Sequence, residues 1–270
     1  MASSPGHAGN PNEDFAGAGP GFAVLLDGAG IPGTEAICRH GVAWYSHSLG
    51  ATLLSRLSRQ SGTDLVVALA DAMDEVAGRH RHTCDLAHPS SPQSTVAVIR
   101  FDEDRVDYLV LADTFLVLDR ADAGPRVITD SREVDVRRKC SSSLIGLPEG
   151  TREYERARLS AIDAFRAQRN AAGGYWIAKD DPQAATQAVT GSAPLGDLDG
   201  VALLTNGASR IVDPYHLVEW PGVMELLRAS GPEALLHRIR QAEAEAGAVG
   251  ALAGFRSPDD ATVAYCEVAR

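Results

Sequence analysis

The middle of the chain constrains the fold most, because four strand-like segments follow one another there with only short turns between them. The first two flank a short acidic turn, which predicts a β-hairpin, and the next two continue the antiparallel run. The four segments are STVAVIRF (94–101), RVDYLVLA (105–112), FLVLDR (115–120) and RVIT (126–129). Strands that follow one another in this way favour an antiparallel sheet and argue against a parallel doubly wound fold.

Helical patterns and further short strands lie on both sides of this region. Apolar residues at helical spacing and short charged segments predict helices at 35–59, 64–81, 151–169, 182–190, 221–229 and 231–246. Short apolar runs predict strands at 22–26, 175–177, 201–205 and 261–268, and the first 21 residues suit a loop or a short edge strand. Because the chain shows no internal repeat and no linker-like composition, the order predicts one α+β domain over residues 1–270.

Charge and cysteine content narrow the possible functions. The net charge is −11, and because nucleic acids and anionic lipid surfaces bind basic faces, both are disfavoured as partners. The four cysteines form no CxxC pair, so we expect reduced thiols in a cytoplasmic protein. No segment approaches the roughly 20 apolar residues of a transmembrane helix, and the first residues lack the pattern of a signal peptide.

Short apolar strands repeatedly end at an acid or an amide that is followed by a small residue. This pattern occurs at Asp27, Asp113 and Asn206, and Asp259 lies just before the last predicted strand. A single Asp in such a position is usually a turn or helix-capping residue. Brought together at one rim of a layered sheet, however, these carboxylates would repel one another unless a cation neutralised them. Oxygen ligands of this kind suit Mg²⁺ or Mn²⁺.

Five stretches in order resemble the motifs of the metal-dependent type 2C (PPM) protein serine/threonine phosphatases, which show NED, DGxG, GDS, SDG and DNxTV-like sequences. Here the corresponding stretches are Asn12-Glu13-Asp14, Asp27-Gly28-Ala29-Gly30, Ala112-Asp113-Thr114, Thr205-Asn206-Gly207 and Asp259-Asp260-Ala261-Thr262-Val263. Gln93-Ser94-Thr95 is similar to the GST element of the family. The resemblance extends from about residue 8 to residue 268 and is to single-domain bacterial members.

This resemblance implies both a fold and a metal site. The fold is a four-layer αββα sandwich of two antiparallel β-sheets flanked by helices. The site holds two Mg²⁺ or Mn²⁺ ions, with a third, weaker position. Asp27 would bridge the two ions, the Gly28 carbonyl would bind one of them, and Asp259 would bind the other. Asn206 would be a further ligand, and Glu13 would bind a metal-bound water. Asp113 would bind the third metal ion, and Asp14 would hold the ligands in place.

The chemistry implied by the resemblance is hydrolysis by a metal-activated water. Two divalent ions lower the pKa of the water between them and stabilise the charge that develops on the phosphate, so Asp27 and Asp259 are the expected catalytic anchors. No phosphoenzyme is required, and the chain contains no GxSxG motif.

The sequence departs from the family pattern at several positions, among them Ala112 in place of the Gly of the GDS stretch. Asn206 stands where the family has a ligand Asp, and the lost charge is worth roughly 4 kcal/mol at an effective dielectric near 20. An Asn there is typical of a weak enzyme, of an inactive relative, or of a substitution made to trap a ligand. No Arg precedes Asn12 to bind phosphate, and Ala29 stands where some members have a His proposed as general acid.

Two other patterns are interpreted as structural. Gly28, Gly30 and Gly33 match a dinucleotide fingerprint, but residues 36–63 contain no acid and a long helix takes the place of the required second strand. The group His80, His82, Cys84 and His88 matches no standard zinc spacing, so we interpret it as a polar helix end and loop.

Two functions therefore stay open. The first is a monomeric metal-dependent phosphatase acting on phosphoserine, phosphothreonine or a small phosphate monoester. The second is a catalytically weak or inactive phosphatase-like module that binds a partner. Asn206 divides the two hypotheses.

Overall fold

The computed structural model of the chain describes residues 1–30, 36–60, 62–249 and 258–268. Within these residues, ten β-strands form two antiparallel five-stranded sheets. In chain order the strands are β1 (Ala2–Ser4), β2 (Phe15–Gly19), β3 (Phe22–Ala29), β4 (Gln93–Phe101), β5 (Arg105–Leu111), β6 (Phe115–Arg120), β7 (Arg126–Ile128), β8 (Val189–Pro194), β9 (Leu198–Leu204) and β10 (Ala261–Glu267). One sheet has the order β1-β10-β9-β6-β7 and the other β2-β3-β4-β5-β8.

Helices flank both sheets. They are α1 (Gly41–Arg59), α2 (Leu65–His80), α3 (Arg132–Cys140), α4 (Arg152–Arg166), α5 (Asn206–Ser209) and α6 (Trp220–Val249). Helix α6 is broken at Gly231, where φ is +79° and Pro232 follows, which confirms the predicted division into two helices. Within the described residues, no helix combines the length and apolar composition that crossing a bilayer requires.

The burial of β3 explains the layering. Val24 and Leu26 point into the cluster formed with α1 and α2, whereas Ala23 and Leu25 point into the cluster between the two sheets. Because side chains alternate across a strand, a strand buried on both faces has the continuous apolar sequence seen here. Helix α6 covers the outer face of the other sheet. The expected αββα sandwich is therefore confirmed.

Several local predictions were wrong or incomplete. Residues 175–177 form no named strand: Tyr175 makes only an isolated bridge to Arg169, the neighbouring Ala178 bridges Ser94, and Tyr175 and Ile177 are buried against residues of α3 and α4. The helix predicted at 182–190 is a 3₁₀ helix at Pro182–Gln187 followed by β8. Helix α1 begins at Gly41, and residue 35 of the predicted helix lies outside the described residues, as does Gly33 of the glycine pattern.

Candidate functional site

Asp27 lies near the end of β3, at the rim where the two sheets meet. Its backbone N–H donates to Thr95 Oγ1 at 3.3 Å, and its carbonyl accepts from Ser94 Oγ at 2.9 Å. These bonds reinforce the β3–β4 register, in which Asp27 is opposite Thr95. The residues of the GST-like element therefore fix the backbone of Asp27.

Gly28 and the segment before β2 approach each other closely. A Cβ atom at Gly28 would lie 2.5 Å from the carbonyl oxygen of Glu13, so only glycine is compatible with this contact. Asp260 holds the same segment, since its carboxylate accepts from the backbone N–H of Gly6 at 2.8 Å and of Glu13 at 2.6 Å. Glu13 is thereby brought to the same rim as Asp27.

Asp14 is buried directly behind this rim. One carboxylate oxygen accepts from Thr205 Oγ1 at 3.1 Å. The other oxygen, Oδ1, has no hydrogen-bond partner among the described residues. An unpaired, buried carboxylate oxygen is costly. It is the kind of group that a nearby ordered water or cation would satisfy.

Asn206 connects two of the carboxylates. It follows β9 at the start of α5, and its backbone N–H donates to Asp27 Oδ2 at 3.1 Å. Its side-chain Nδ2 donates to Asp113 Oδ2 at 3.0 Å. The amide therefore supplies a neutral hydrogen bond at the place where an acid would add another negative charge.

Asp113 follows a strained residue. Ala112 has φ of +68°, a left-handed conformation that favours glycine and costs another residue roughly 1–2 kcal/mol. The family has Gly at this position. The departure at Ala112 is therefore tolerated by the fold at an energetic cost that the surrounding packing offsets.

Asp259 is paired with an arginine that the sequence analysis did not single out. Arg210 Nη2 lies 2.5 Å from Asp259 Oδ2, and Arg210 Nη1 lies 3.7 Å from Glu243 Oε1. Arg240 Nη2 donates to the carbonyl of Asp259 at 2.8 Å. The side chains of Arg210 and Glu243 are buried, whereas the Asp259 side chain is 56% exposed, so Arg210 extends from a buried position to a carboxylate at the surface of the cleft. No motif marks Arg210, because its role depends on the turn after α5.

All six predicted ligand positions line one cleft of about 640 Å³; they are Glu13, Asp27, Gly28, Asp113, Asn206 and Asp259. Burial raises the pKa of Asp14 and of Asp113 to about 7, and it raises the pKa of Asp27 well above its usual range. Repulsion from neighbouring carboxylates adds to each of these shifts. Burial and repulsion from Asp260 and Asp259 also raise the pKa of Glu13 to about 7.

These shifts test whether the residues suit divalent cations. Carboxyls that cannot all ionise near neutral pH become fully ionised when a cation lies among them, because the cation reverses the sign of the local potential. The unpaired oxygen of Asp14 and the presence of oxygen donors alone also favour a divalent cation. The cleft residues therefore fit Mg²⁺ or Mn²⁺, although Asn206 and the Arg210–Asp259 pair make one side of the cluster less negative.

Part of the cleft wall is cationic and aromatic. Arg137, Arg166 and Arg169 line it together with Phe165 and Tyr175. The two aromatic rings stack with centroids 4.7 Å apart, and the Arg137 guanidinium lies 4.5 Å from the Phe165 centroid. The charged helix predicted at 151–169 is α4, and this helix and the residues after it contribute to this wall.

Arg137 and Arg169 are held by protein groups, whereas Arg166 is held loosely. Arg137 pairs with Glu133, and Arg169 donates to the Pro89 carbonyl and to the Tyr175 hydroxyl. Arg166 has a single ion pair within the described residues, at 3.6 Å from the exposed Asp163. Of the three, Arg166 is therefore the most easily turned toward an anion in the cleft.

Comparison with known proteins identifies the architecture. No protein-family model and no curated protein matches the chain by sequence. Solved structures do match. The catalytic domain of serine threonine protein phosphatase PstP, in complex with two manganese ions, is 18% identical with a TM-score of 0.60, covering 100% of this chain and 96% of that chain.

Two further solved structures are similar to this chain in fold. Serine/threonine phosphatase Stp1 from Staphylococcus aureus is 15% identical with a TM-score of 0.60, covering 100% of this chain and 93% of that chain. The PPM Ser-Thr phosphatase MsPP from Mycobacterium smegmatis, in complex with cacodylate, is 14% identical with a TM-score of 0.58, covering 99% of this chain and 97% of that chain. The chain therefore has, over its whole length, the fold of the PPM serine/threonine phosphatases.

Proposed function

We propose that this chain is a metal-dependent phosphatase that hydrolyses phosphoserine, phosphothreonine or a small phosphate monoester. Fold alone does not determine function, so the proposal depends on the site. The observation that carries it is the convergence of Glu13, Asp27, Asp113 and Asp259 on one cleft that is also lined by arginines. Negative ligands and cations lining the same cleft suit a phosphate held between metal ions and the protein.

The carboxylates would hold the metal ions as the family resemblance implies. The direct ligands would be Asp27, the Gly28 carbonyl, Asp259 and Asn206. Glu13 would bind a metal-bound water and Asp113 a third metal position. Asp14, buried next to these residues, would orient the ligands. When bound, two Mg²⁺ or Mn²⁺ ions would supply a water of lowered pKa as nucleophile and would neutralise phosphate oxygens. The N–H of Asn206 and the hydroxyl of Ser94 keep Asp27 in a fixed position for this task.

Substrate binding is assigned to the arginine wall. The chain has no arginine before Asn12, so the phosphate-binding cation expected there is missing. Arg166 lines the same cleft and has the loosest pairing of its three arginines Arg137, Arg166 and Arg169. A guanidinium can bind phosphate oxygens through two parallel hydrogen bonds. The similar PstP and Stp1 structures are protein phosphatases, which supports a phosphoprotein as the substrate class.

The test is hydrolysis of p-nitrophenyl phosphate with and without Mn²⁺, for the unsubstituted chain and for Asn206→Asp. Restoring the charge should raise the rate between about tenfold and a thousandfold, given roughly 4 kcal/mol for a full charge at close range. Asn10→Asp is the matched control, because it makes the same change at an exposed residue outside the cleft. If neither chain hydrolyses the ester faster than the metal-free sample, the phosphatase proposal is wrong.

A second candidate is a phosphatase-like binding module with little or no turnover. The observation that favours it is the pairing of Asp259 with Arg210, next to the uncharged Asn206. A fixed guanidinium on one ligand and an amide at another both weaken attraction for the cation on that side. Calorimetry with a phosphoserine peptide separates the candidates. Binding without turnover in both the unsubstituted chain and Asn206→Asp favours the module, and rapid turnover in the unsubstituted chain excludes it.

A further inference from the structure

Two cysteines and two histidines meet outside the cleft. Cys38 and His40 precede α1, and His80 and Cys84 lie at and just beyond the end of α2. One ligand atom from each residue lies within 4.8 Å of all the others. None of the four residues lines the acidic cleft. The sequence grouping around His80 therefore missed two members, because they come from the segment before α1.

The distances match those of a tetrahedral metal centre. Cys38 Sγ lies 3.7 Å from His80 Nδ1 and 3.8 Å from His40 Nδ1, and Cys84 Sγ lies 3.3 Å from His40 Nδ1. A tetrahedral Zn²⁺ with Zn–S near 2.3 Å and Zn–N near 2.0–2.1 Å places neighbouring ligand atoms roughly 3.3–3.8 Å apart. Three of the six distances between ligand atoms therefore already have tetrahedral values, and the other three lie within 4.8 Å, so small side-chain adjustments would let the four residues surround one ion.

The backbone holds the two ligand pairs together without help from the side chains. Asp85 N–H donates to the Ile37 carbonyl at 2.9 Å, which joins the two segments next to the ligands. Cys84 N–H donates to the His80 carbonyl at 3.0 Å, which curls the chain so that both side chains face the same side. Such preorganisation lowers the entropic cost of binding an ion.

The surroundings are apolar and aromatic. Cys38 and His80 are each only 2% exposed. Trp44 stacks on the His40 ring at 4.4 Å and lies 4.9 Å from the His80 ring. Burial, together with the charges of His40 and Arg81, lowers the pKa of His80 to about 4, so its imidazole is neutral and has a lone pair available as a ligand. Cys38 and His80 are thus buried and His40 and Cys84 are half-buried, and four protein ligands in a largely buried place are typical of structural metal sites.

We propose that Cys38, His40, His80 and Cys84 bind one Zn²⁺ as a structural site. Two sulfur and two imidazole ligands in a tetrahedron are the donor set of Zn²⁺ and do not suit Mg²⁺ or Mn²⁺. The ion would fasten the segment before α1 to the end of α2. The loop that follows α2 supplies residues 89–91 to the cleft, so the site would stabilise one wall of the cleft from outside.

Metal analysis of the purified full chain gives the first test. Protein prepared under reducing conditions without chelator and washed with excess Mg²⁺ should retain about one zinc per chain. Cys84→Ser should lower the zinc content at least about fivefold, because a structural site needs all four ligands. Cys140→Ser and His82→Asn are the matched controls, since both remove the same residue types outside the cluster. Zinc content equal in Cys84→Ser and the controls would overturn the proposal.

Cobalt substitution gives a second test that does not depend on a variant folding. Co²⁺ added to the reduced, zinc-free, unsubstituted chain should produce intense visible bands and a thiolate-to-cobalt charge-transfer band, both removed by one equivalent of Zn²⁺. Co²⁺ in the oxygen-lined cleft gives no thiolate band, so the two sites are distinguished. Absence of the band would overturn the proposal, as would a Cys38–Cys84 disulfide in protein purified under reducing conditions.

Discussion

The acidic cleft and the Cys/His cluster are two groups of metal-type ligands built in opposite ways. The cleft collects oxygen atoms from residues as far apart as Glu13 and Asp259, at the ends of strands from both sheets. The cluster takes sulfur and nitrogen atoms from 38–84 alone, where α1 and α2 pack together. Long-range strand topology positions the first group, and local helix packing positions the second.

The two groups also differ in their charge without a cation. In the cleft, burial and mutual repulsion raise the pKa values of four carboxyls, so the metal-free cleft is electrostatically unfavourable near neutral pH. In the cluster, His80 is neutral and burial raises the pKa of Cys38, so the metal-free cluster carries little charge. Without a cation, repulsion should therefore destabilise the cleft near neutral pH, whereas the cluster has no comparable group of repelling carboxylates; zinc binding by the cluster depends on pH for a different reason, because its thiols must lose their protons.

The largest effect is expected from removing the central carboxylate of the cleft. Asp27→Asn should lower Mn²⁺-dependent hydrolysis of p-nitrophenyl phosphate about a thousandfold, because roughly 4 kcal/mol of attraction for the cations is lost. The zinc content should be unchanged, since Asp27 is not part of the Cys/His cluster. Asp122→Asn, at an exposed residue outside the cleft, is the charge-matched control. Retained activity in Asp27→Asn would remove the basis for a metal site at this cleft.

A smaller effect is expected on the pH dependence of stability. Asp14 and Asp113 have ordinary pKa values near 4 when unfolded and pKa values of about 7 when folded without metal. The unfolded chain therefore releases these protons first, and the free energy of unfolding of the metal-free protein falls as pH rises from about 4 to 7. Mg²⁺ should remove this penalty, so its effect on the melting temperature should be larger at pH 8 than at pH 5.

The measurement is a thermal melt with and without Mg²⁺, in buffer without chelator so that a zinc ion in the Cys/His cluster is left in place. A penalty of a few kcal/mol corresponds to roughly 5–10 °C in a domain of this size. Asp27→Asn should raise the melting temperature of the metal-free protein at pH 8 and reduce the Mg²⁺ effect, because it removes a carboxyl whose raised pKa in the folded state costs stability above the pKa of the unfolded chain. An Mg²⁺ effect equal at the two pH values would show that the cleft carboxylates are not the binding groups.

The grouping of the acidic residues was predictable from the sequence, because these residues lie in recognisable patterns. Asp27, Asp113 and Asn206 end apolar strands, and the order of these strands predicted the layered fold. Arg210 was not predictable, because its contact with Asp259 depends on the turn after α5 and on Glu243 from α6. β8 was missed because VTGSAP, at the edge of its sheet, has little apolar content.

The Cys/His cluster was not predictable for a different physical reason. A Cys-x-His pair and a His-x₃-Cys pair are each too short to be specific, and 39 residues separate them. Only the packing of α1 on α2, together with the hydrogen bond from Asp85 to Ile37, brings them into contact. A sequence pattern reports ligands that share a local motif; ligands that meet through tertiary packing have to be found in the structure.

The smallest effect is expected from substituting Arg166, which we propose binds the substrate in the cleft. Arg166 lines the cleft together with the carboxylates, whereas an aromatic ring, that of Trp44, stacks on His40 of the cluster. Arg166→Ala should raise KM for a phosphopeptide about tenfold and leave kcat nearly unchanged, because one charge-assisted hydrogen bond is worth roughly 1.5–3 kcal/mol. Arg158→Ala, an exposed arginine of the same helix outside the cleft, should change neither value. A fall in kcat with an unchanged KM would place Arg166 on the transition state and not on substrate binding.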